Sequence, residues 1–261
     1  MDMASERVDI RNLTRSLFSY MYCGTNDWYQ GAAVLDRSQA ESRWYWLTWD
    51  MDESFIDGWK TSKGELWEQD ALAQVVTADS KTGYWRTTYY NFRSALFSRL
   101  MNNDARYRSY FLRTVTDALN HELTSAFFKE RIDYYDSMLE AYQDPVPSRD
   151  LRHYEASKEF VRNRGEFVRK SLQHRFARSR FSLGDVYRVS FEGLGPPVGY
   201  MIGGYAEAGA YTGKYFKGQR IEISVPGGRE RQRWVVNGET IEGKILSLPV
   251  RSDLFISHVK T

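Results

Sequence analysis

Asp27, Asp50 and Asp52 are the residues whose type and spacing point to chemistry. Asp27 sits in a Gly-bounded polar stretch, CGTNDWYQG, and Asp50-Met51-Asp52 ends the aromatic run that starts at Trp44. In extended geometry Asp50 and Asp52 share one face. Ala32–Asp36 and Trp44–Trp49 read as two short strands joined by the polar loop RSQAESR. A hairpin returns its end close to its beginning, so Asp27 and Asp50 are expected within several ångströms of each other. Clustered carboxylates repel, and a buried unpaired one is costly. A divalent cation, a cationic side chain or a shared proton would offset that cost. Mg²⁺ takes one or two carboxylates together with phosphate oxygens. Two Asp-rich surface turns are the alternative that the residues alone leave open.

These aspartates need a frame. Upstream, Ile10, Leu13, Leu17, Phe18 and Met21 fall on one side of a helix predicted over residues 9–22. Downstream, residues 56–90 show little periodicity and read as a long loop with a short helix near Leu66–Val76. Residues 91–180 are helical by pattern. Phe92, Leu96, Phe97 and Leu100 follow the 3.6-residue period, as do Tyr107, Phe111, Val115 and Leu119, then Phe128, Ile132, Tyr135 and Leu139. Asn103-Asp104 separates the first two helices by cap chemistry, and Pro145 and Pro147 end the third. Residues 148–180 carry ten Lys/Arg against four Asp/Glu, which reads as a solvated basic face.

Composition changes near residue 183: of the 19 glycines, 13 lie between 184 and 243. The runs DVYRVSF, YTGKYF, RIEISV, RWVVNG, KILSLPV and DLFISHV alternate there with turn signals, and Asn237-Gly238 marks a hairpin. The expectation is an α+β chain, with a mainly helical region over 1–182 carrying a short hairpin at its active site. A small antiparallel, sandwich-like β module over 183–261 follows it. With 36 Lys+Arg against 34 Asp+Glu the net charge is +2, which argues against a nucleic-acid partner held by a strong field. A single cysteine, Cys23, excludes an internal disulfide framework and any multi-cysteine zinc site. It reads as a buried thiol, with no His near it in sequence. His121, His153, His174 and His258 are scattered, without metal-ligand spacing, and read as helix-surface or capping residues. No apolar run is long enough to span a membrane.

The order of helix, polar Asp loop, short hairpin and metal-type Asp is that of protein-kinase catalytic lobes. The stretch from Asn26-Asp27-Trp28 through Trp44-Tyr45-Trp46-Leu47-Thr48-Trp49-Asp50-Met51-Asp52-Glu53-Ser54-Phe55 resembles the CotH kinase family of atypical protein kinases. Ala95–Asn103, Arg108–Asn120 and the segments Phe160–Arg164 and Phe167–Lys170 resemble the family's later helices, so the likeness covers roughly residues 8–180. The resemblance implies a kinase-like C-lobe that transfers the γ-phosphate of ATP to a Ser/Thr hydroxyl of a protein acceptor. It implies Asp27 as the catalytic-loop acid, with Asp50 and Asp52 for Mg²⁺ (or Mn²⁺). Asn26 and Gln30 are the polar residues that would orient Asp27 or reach the cofactor. The family often has an Asn a few residues after the loop Asp, and Tyr29-Gln30-Gly31-Ala32 lacks one.

The family's front lobe, with its phosphate-binding Lys, has no room before Asp27. On this reading the chain is a carboxyl-terminal catalytic portion, expected to bind nucleotide weakly and to transfer phosphate poorly. The β module resembles small repeat modules of bacterial surface proteins, through Gly213–Ile223 and Trp234–Gly238. That implies a coat or surface protein as partner and an extracellular, cell-surface or spore-coat location. A non-catalytic coat or surface scaffold whose β module binds a partner or glycan is the alternative, and carbohydrate binding or hydrolysis through the aromatic surface and the paired carboxylates is a third.

Overall fold

A computed structural model describes residues 6–25, 32–38, 41–48, 51, 54–55, 92–142, 145–177, 183–193, 199–227 and 231–259. The chain forms two compact units. The first comprises residues 1–115 and 123–175, the second residues 116–122 and 176–261. An N-terminal helical region and a C-terminal β-sheet module make this an α+β chain.

In the first unit, α1 (Ile10–Cys23) starts at Asp9, whose carboxylate accepts the Asn12 N–H at 2.8 Å. Leu13 and Leu17 are fully buried, as the helical period requires. The helix stops at Gly24, whose φ of 70° is the left-handed conformation that glycine adopts without strain, and whose N–H closes on the Tyr20 carbonyl. A two-stranded hairpin follows, β1 (Ala33–Val34) antiparallel to β2 (Tyr45–Trp46). Next come α2 (Phe92–Asn103) and α3 (Ala105–Asp117). The Asp104 carboxylate between them accepts the N–H groups of Arg106 and Tyr107 at 2.9 and 3.1 Å, the expected cap. Phe97 meets Tyr107 and Phe111 edge-on, and the Tyr107 hydroxyl lies 3.1 Å from that of the buried Thr14.

Two helices complete the unit, α4 (Ser125–Ala141) and α5 (Ser148–Ala177). No residue of α4 is fully buried, and Tyr135, expected on its inner face, is 52% exposed. The half-buried line runs instead through Phe128, Ile132, Asp136 and Leu139. Asp136 can take that place because Lys158 of α5 meets its carboxylate at 2.7 Å and holds the acid below its usual pKa. The long loop expected over 56–90 lies outside the described residues.

The second unit has two sheets. Its strands are β3 (Val186–Phe191), β4 (Tyr200–Ile202), β5 (Tyr205–Glu207), β6 (Tyr211–Phe216), β7 (Arg220–Ser224), β8 (Gln232–Val236), β9 (Glu239–Gly243), β10 (Ile245–Pro249) and β11 (Leu254–Val259). One sheet has the order β10-β7-β4-β5, the other β6-β3-β11-β8-β9. Trp234, Phe191, Ile202, Ile223, Leu246 and Ile256, drawn from both sheets, share one buried core. The module is not wholly antiparallel as expected, because β11 runs parallel to β3. A parallel pair needs a long connection, and the first and last strands of the module have one. Asn237 (φ 49°) and Gly238 (φ 89°) form the mirror-image turn that suits a two-residue hairpin, joining β8 to β9. His258 is no helix-surface residue; it lies in β11, with Nε2 2.7 Å from Gln232 Oε1 and its ring edge-on to Trp234.

Candidate functional site

The proposed catalytic Asp27, the metal residues Asp50 and Asp52, and the accessory Asn26 and Gln30 all lie outside the described residues. What the structure describes is the frame from which their segments leave and to which they return. Among the described residues no group of three or more His, Cys, Asp or Glu side chains is placed to hold a metal ion.

The first part of the frame joins α1 to the hairpin. Trp44 N–H donates to the Arg7 carbonyl and Asp9 N–H donates to the Trp44 carbonyl, both at 2.9 Å. These bonds make a short parallel bridge between Val8 and Trp44. One turn into the helix, the Asn12 amide grips both backbone groups of Trp46. Its Oδ1 accepts the Trp46 N–H at 2.6 Å and its Nδ2 donates to the Trp46 carbonyl at 3.0 Å. A side-chain amide presents the same donor and acceptor as a peptide group, so Asn12 acts as a one-residue strand beside β2. Leu47 N–H then donates to the Ala32 carbonyl at 2.9 Å, which continues the ladder toward Asp50.

The second part closes the far side. Phe55 N–H donates to the Cys23 carbonyl at 3.1 Å. The last residue of α1, four positions before Asp27, is thus tied to the residue three positions after Asp52. Phe55 has a φ of 59°, which a bulky residue adopts only when its surroundings hold it there. Three contacts do so here. The bond to Cys23 is one; the Ser157 hydroxyl donating to the Phe55 carbonyl at 3.1 Å is another. The Phe160 ring, edge-on with its centre 5.2 Å away, is the third.

Arg164 of α5 supports the same junction. Its side chain is 1% exposed; Nε donates to the Tyr22 carbonyl at 2.8 Å and an Nη donates to the Met21 carbonyl. A guanidinium suits this place because the last carbonyls of a helix lack intrahelical donors and carry partial negative charge. The rings of Phe160 and Phe167 lie 5.1 and 5.4 Å from the charge. Burial pushes the neighbouring Cys23 thiol up to about 11, against smaller opposing effects of the Ser54 hydroxyl and Arg164. Burial likewise raises the Tyr22 phenol well above its ordinary range, and its ring stacks parallel to Phe128 at 6.1 Å.

Sequence reasoning missed Asn12, Ser157 and the role of Arg164. The α5 basic residues were read as a solvated face, and the burial of Arg164 corrects that reading at this position. A signal was present in Phe160-x-x-x-Arg164-x-x-Phe167, a cation at helical spacing between two aromatics.

A family model described as CotH kinase protein matches residues 3–172. No curated protein and no solved structure gives a match. The match corrects the placement expected from the sequence: the homology was cast as a carboxyl-terminal catalytic portion, whereas it occupies the amino-terminal part of this chain, ahead of the β-sheet module. It takes in Asp27, Asp50 and Asp52 together with Asn12, Phe55, Ser157 and Arg164 of the frame, and it spans more than half of the residues. The chain belongs to the CotH kinase protein family.

Proposed function

We propose that the chain is an atypical protein kinase that transfers the γ-phosphate of ATP to a Ser/Thr hydroxyl of a protein acceptor. The single observation that carries this reading, beyond family membership, is the Cys23–Phe55 backbone bond. It ties together the two ends of the stretch that holds all three aspartates. Asp27 would orient the acceptor hydroxyl and accept its proton, the role of the catalytic-loop acid in kinases. Asp50 and Asp52 would hold Mg²⁺ (or Mn²⁺), and Asn26 and Gln30 would orient Asp27 or reach the nucleotide. Carboxylate and amide oxygens are hard donors, so the set fits that ion. When bound, the ion supplies positive charge against the phosphate oxygens.

The test is phosphate incorporation from γ-labelled ATP into coat or surface proteins. Asp27→Asn and Asp50→Asn are each expected to abolish it while leaving the helical circular dichroism unchanged. Retention of activity in both variants refutes the assignment. An extracellular, cell-surface or spore-coat location is part of the proposal, since such acceptors reside there. Among the described residues no helix is long and apolar enough to cross a membrane.

A second reading, a non-catalytic scaffold, is favoured by the outer face of α4. Phe127, Tyr134, Tyr135, Met138 and Tyr142 are between 40% and 59% exposed there, and exposed apolar surface of this kind marks contact sites. Binding to coat protein or glycan that neither ATP nor Asp27→Asn alters distinguishes this reading from the first.

A further inference from the structure

We propose that the outer edge of β6 is a strand-pairing surface, and that the helical turn 116–122 of the same chain occupies it and keeps it shut. An edge strand presents a row of unpaired N–H and C=O groups, a template on which another extended chain can pair. β6 pairs on its inner side with β3, from Val186 opposite Phe216 to Phe191 opposite Tyr211. On its outer side the backbone groups are those of alternate residues, and those of Lys214 and Phe216 have partners that are not a strand.

Lys214 N–H donates to Asn120 Oδ1 and the Lys214 carbonyl accepts from Asn120 Nδ2, both at 3.1 Å. Two residues on, Phe216 N–H donates to Gln219 Oε1 at 2.7 Å, and its carbonyl accepts the Gln219 N–H at 3.1 Å. The Gln219 amide is itself fixed by the Thr116 hydroxyl, which lies 3.2 Å from Oε1 and 3.1 Å from Nε2. All four outward backbone groups of residues 214 and 216 are therefore satisfied without a neighbouring strand.

Independent contacts seat the turn. Residues 118–122 are π-helical, a local widening of the helix common at functional positions. His121 was expected on a helix surface. Its side chain is instead 2% exposed, with the Tyr205 ring stacked on it at 4.4 Å and the Tyr211 ring at 5.1 Å. Its Nδ1 lies 2.8 Å from Glu207 Oε1, and the Tyr205 hydroxyl donates to Glu122 at 2.5 Å. Gly213 leaves room first for the Tyr211 side chain of its own strand and then for Asn120 of the turn. A Cβ there would fall 2.2 Å from the Tyr211 hydroxyl and 3.0 Å from Asn120 Nδ2.

The experiment uses the full chain with Asn120→Ala and His121→Ala combined. Hydrogen exchange at the Lys214 amide is expected to accelerate by about tenfold, the equivalent of one net hydrogen bond. Light scattering is expected to show species of twice the wild-type mass. Adding Lys214→Pro removes the outward N–H without touching the β3 ladder, and is expected to restore the wild-type mass. Unchanged Lys214 exchange overturns the proposal, as does association that Lys214→Pro leaves intact. Near-UV circular dichroism, summed over the eight Trp and the other aromatic residues, reports whether tertiary packing survives. If the double variant loses that signal, Asn120→Ala alone tests the same point, since it removes the acceptor of the Lys214 N–H and leaves the His121 contacts in place. Unchanged exchange in that variant refutes the cap equally.

Discussion

Replacing Arg164 by Met tests the frame of the candidate site most directly. Met preserves much of the length and apolar bulk, so the change isolates the guanidinium. Two buried carbonyls, those of Met21 and Tyr22, lose their charged donor. A hydrogen bond to a charged group contributes about 1.5–3 kcal/mol, and an orphaned buried acceptor costs about 1–3 kcal/mol. The contacts with Phe160 and Phe167 add roughly 0.5–1 kcal/mol each. Against these stands the relief of no longer burying a cation, several kcal/mol in the other direction. The expected net loss is about 3–5 kcal/mol, the orphaned acceptors and lost ring contacts outweighing that relief. Arg164→Lys keeps the charge but not the forked geometry, and is expected to lose about half as much. Urea unfolding followed by the helical signal measures both. With a slope of about 1–3 kcal/mol per molar for small proteins, the Met variant should shift the midpoint by at least about 1 M. Midpoints for Met and Lys both within about 0.2 M of wild type would refute the reasoning, because Arg164 would then be only one more side chain in a packed helix.

Phe55→Gly should be more stable than Phe55→Ala by about 1 kcal/mol, since both remove the ring but only glycine accepts a φ of 59° freely; equal urea midpoints would show that the junction relaxes. Cys23 should resist alkylation in the native chain at pH 8. With the thiol near 11 only about one molecule in a thousand is thiolate, and modification should run on the order of a hundred times slower than in urea. Because that pKa is raised, the stability tied to Cys23 is fully present below about pH 9 and declines as pH rises toward 11. A flat stability profile from pH 8 to 11 in wild type, compared with Cys23→Ala, would contradict this. Gly238→Ala should cost about 1 kcal/mol or more, because its φ of 89° suits glycine, and should lower the thermal midpoint of the β-sheet module; an unchanged midpoint would mean that the β8–β9 turn has another geometry in solution.

How far the sequence carried depended on whether a feature was local. The first helix was legible because its apolar positions repeat at 3.6 residues and a Gly-bounded polar stretch follows it. The β8–β9 hairpin was legible because Asn-Gly suits one turn type. Asp104 announced itself between two periodic runs. Contacts distant in sequence were not legible. The pairing of β3 with β11 joins residues about 65 positions apart, as in the bond from Arg188 N–H to Asp253. Strands β4 and β5, three residues each, are too short for alternation to show. Tyr135 illustrates a subtler failure. Both it and Asp136 fit the helical period, and hydrophobicity alone favours the tyrosine, whereas Lys158 across on α5 decides for the aspartate. At the candidate site the acidic residues stood out by type, but their supports did not. Asn12 and Ser157 are ordinary polar residues until folding places a backbone group beside them.

The turn at 116–122 has a consequence for the order in which the molecule is made. Its partners Glu207, Lys214 and Gln219 lie 86 to 103 residues further along the chain. During synthesis the turn leaves the ribosome long before the strand it will cover exists, and it must wait in whatever conformation its own helix allows. The sheet, when it arrives, finds its closing piece already made. A fragment starting at residue 183 would never acquire that piece, and a nascent chain stalled before residue 219 would hold a guard with nothing yet to guard.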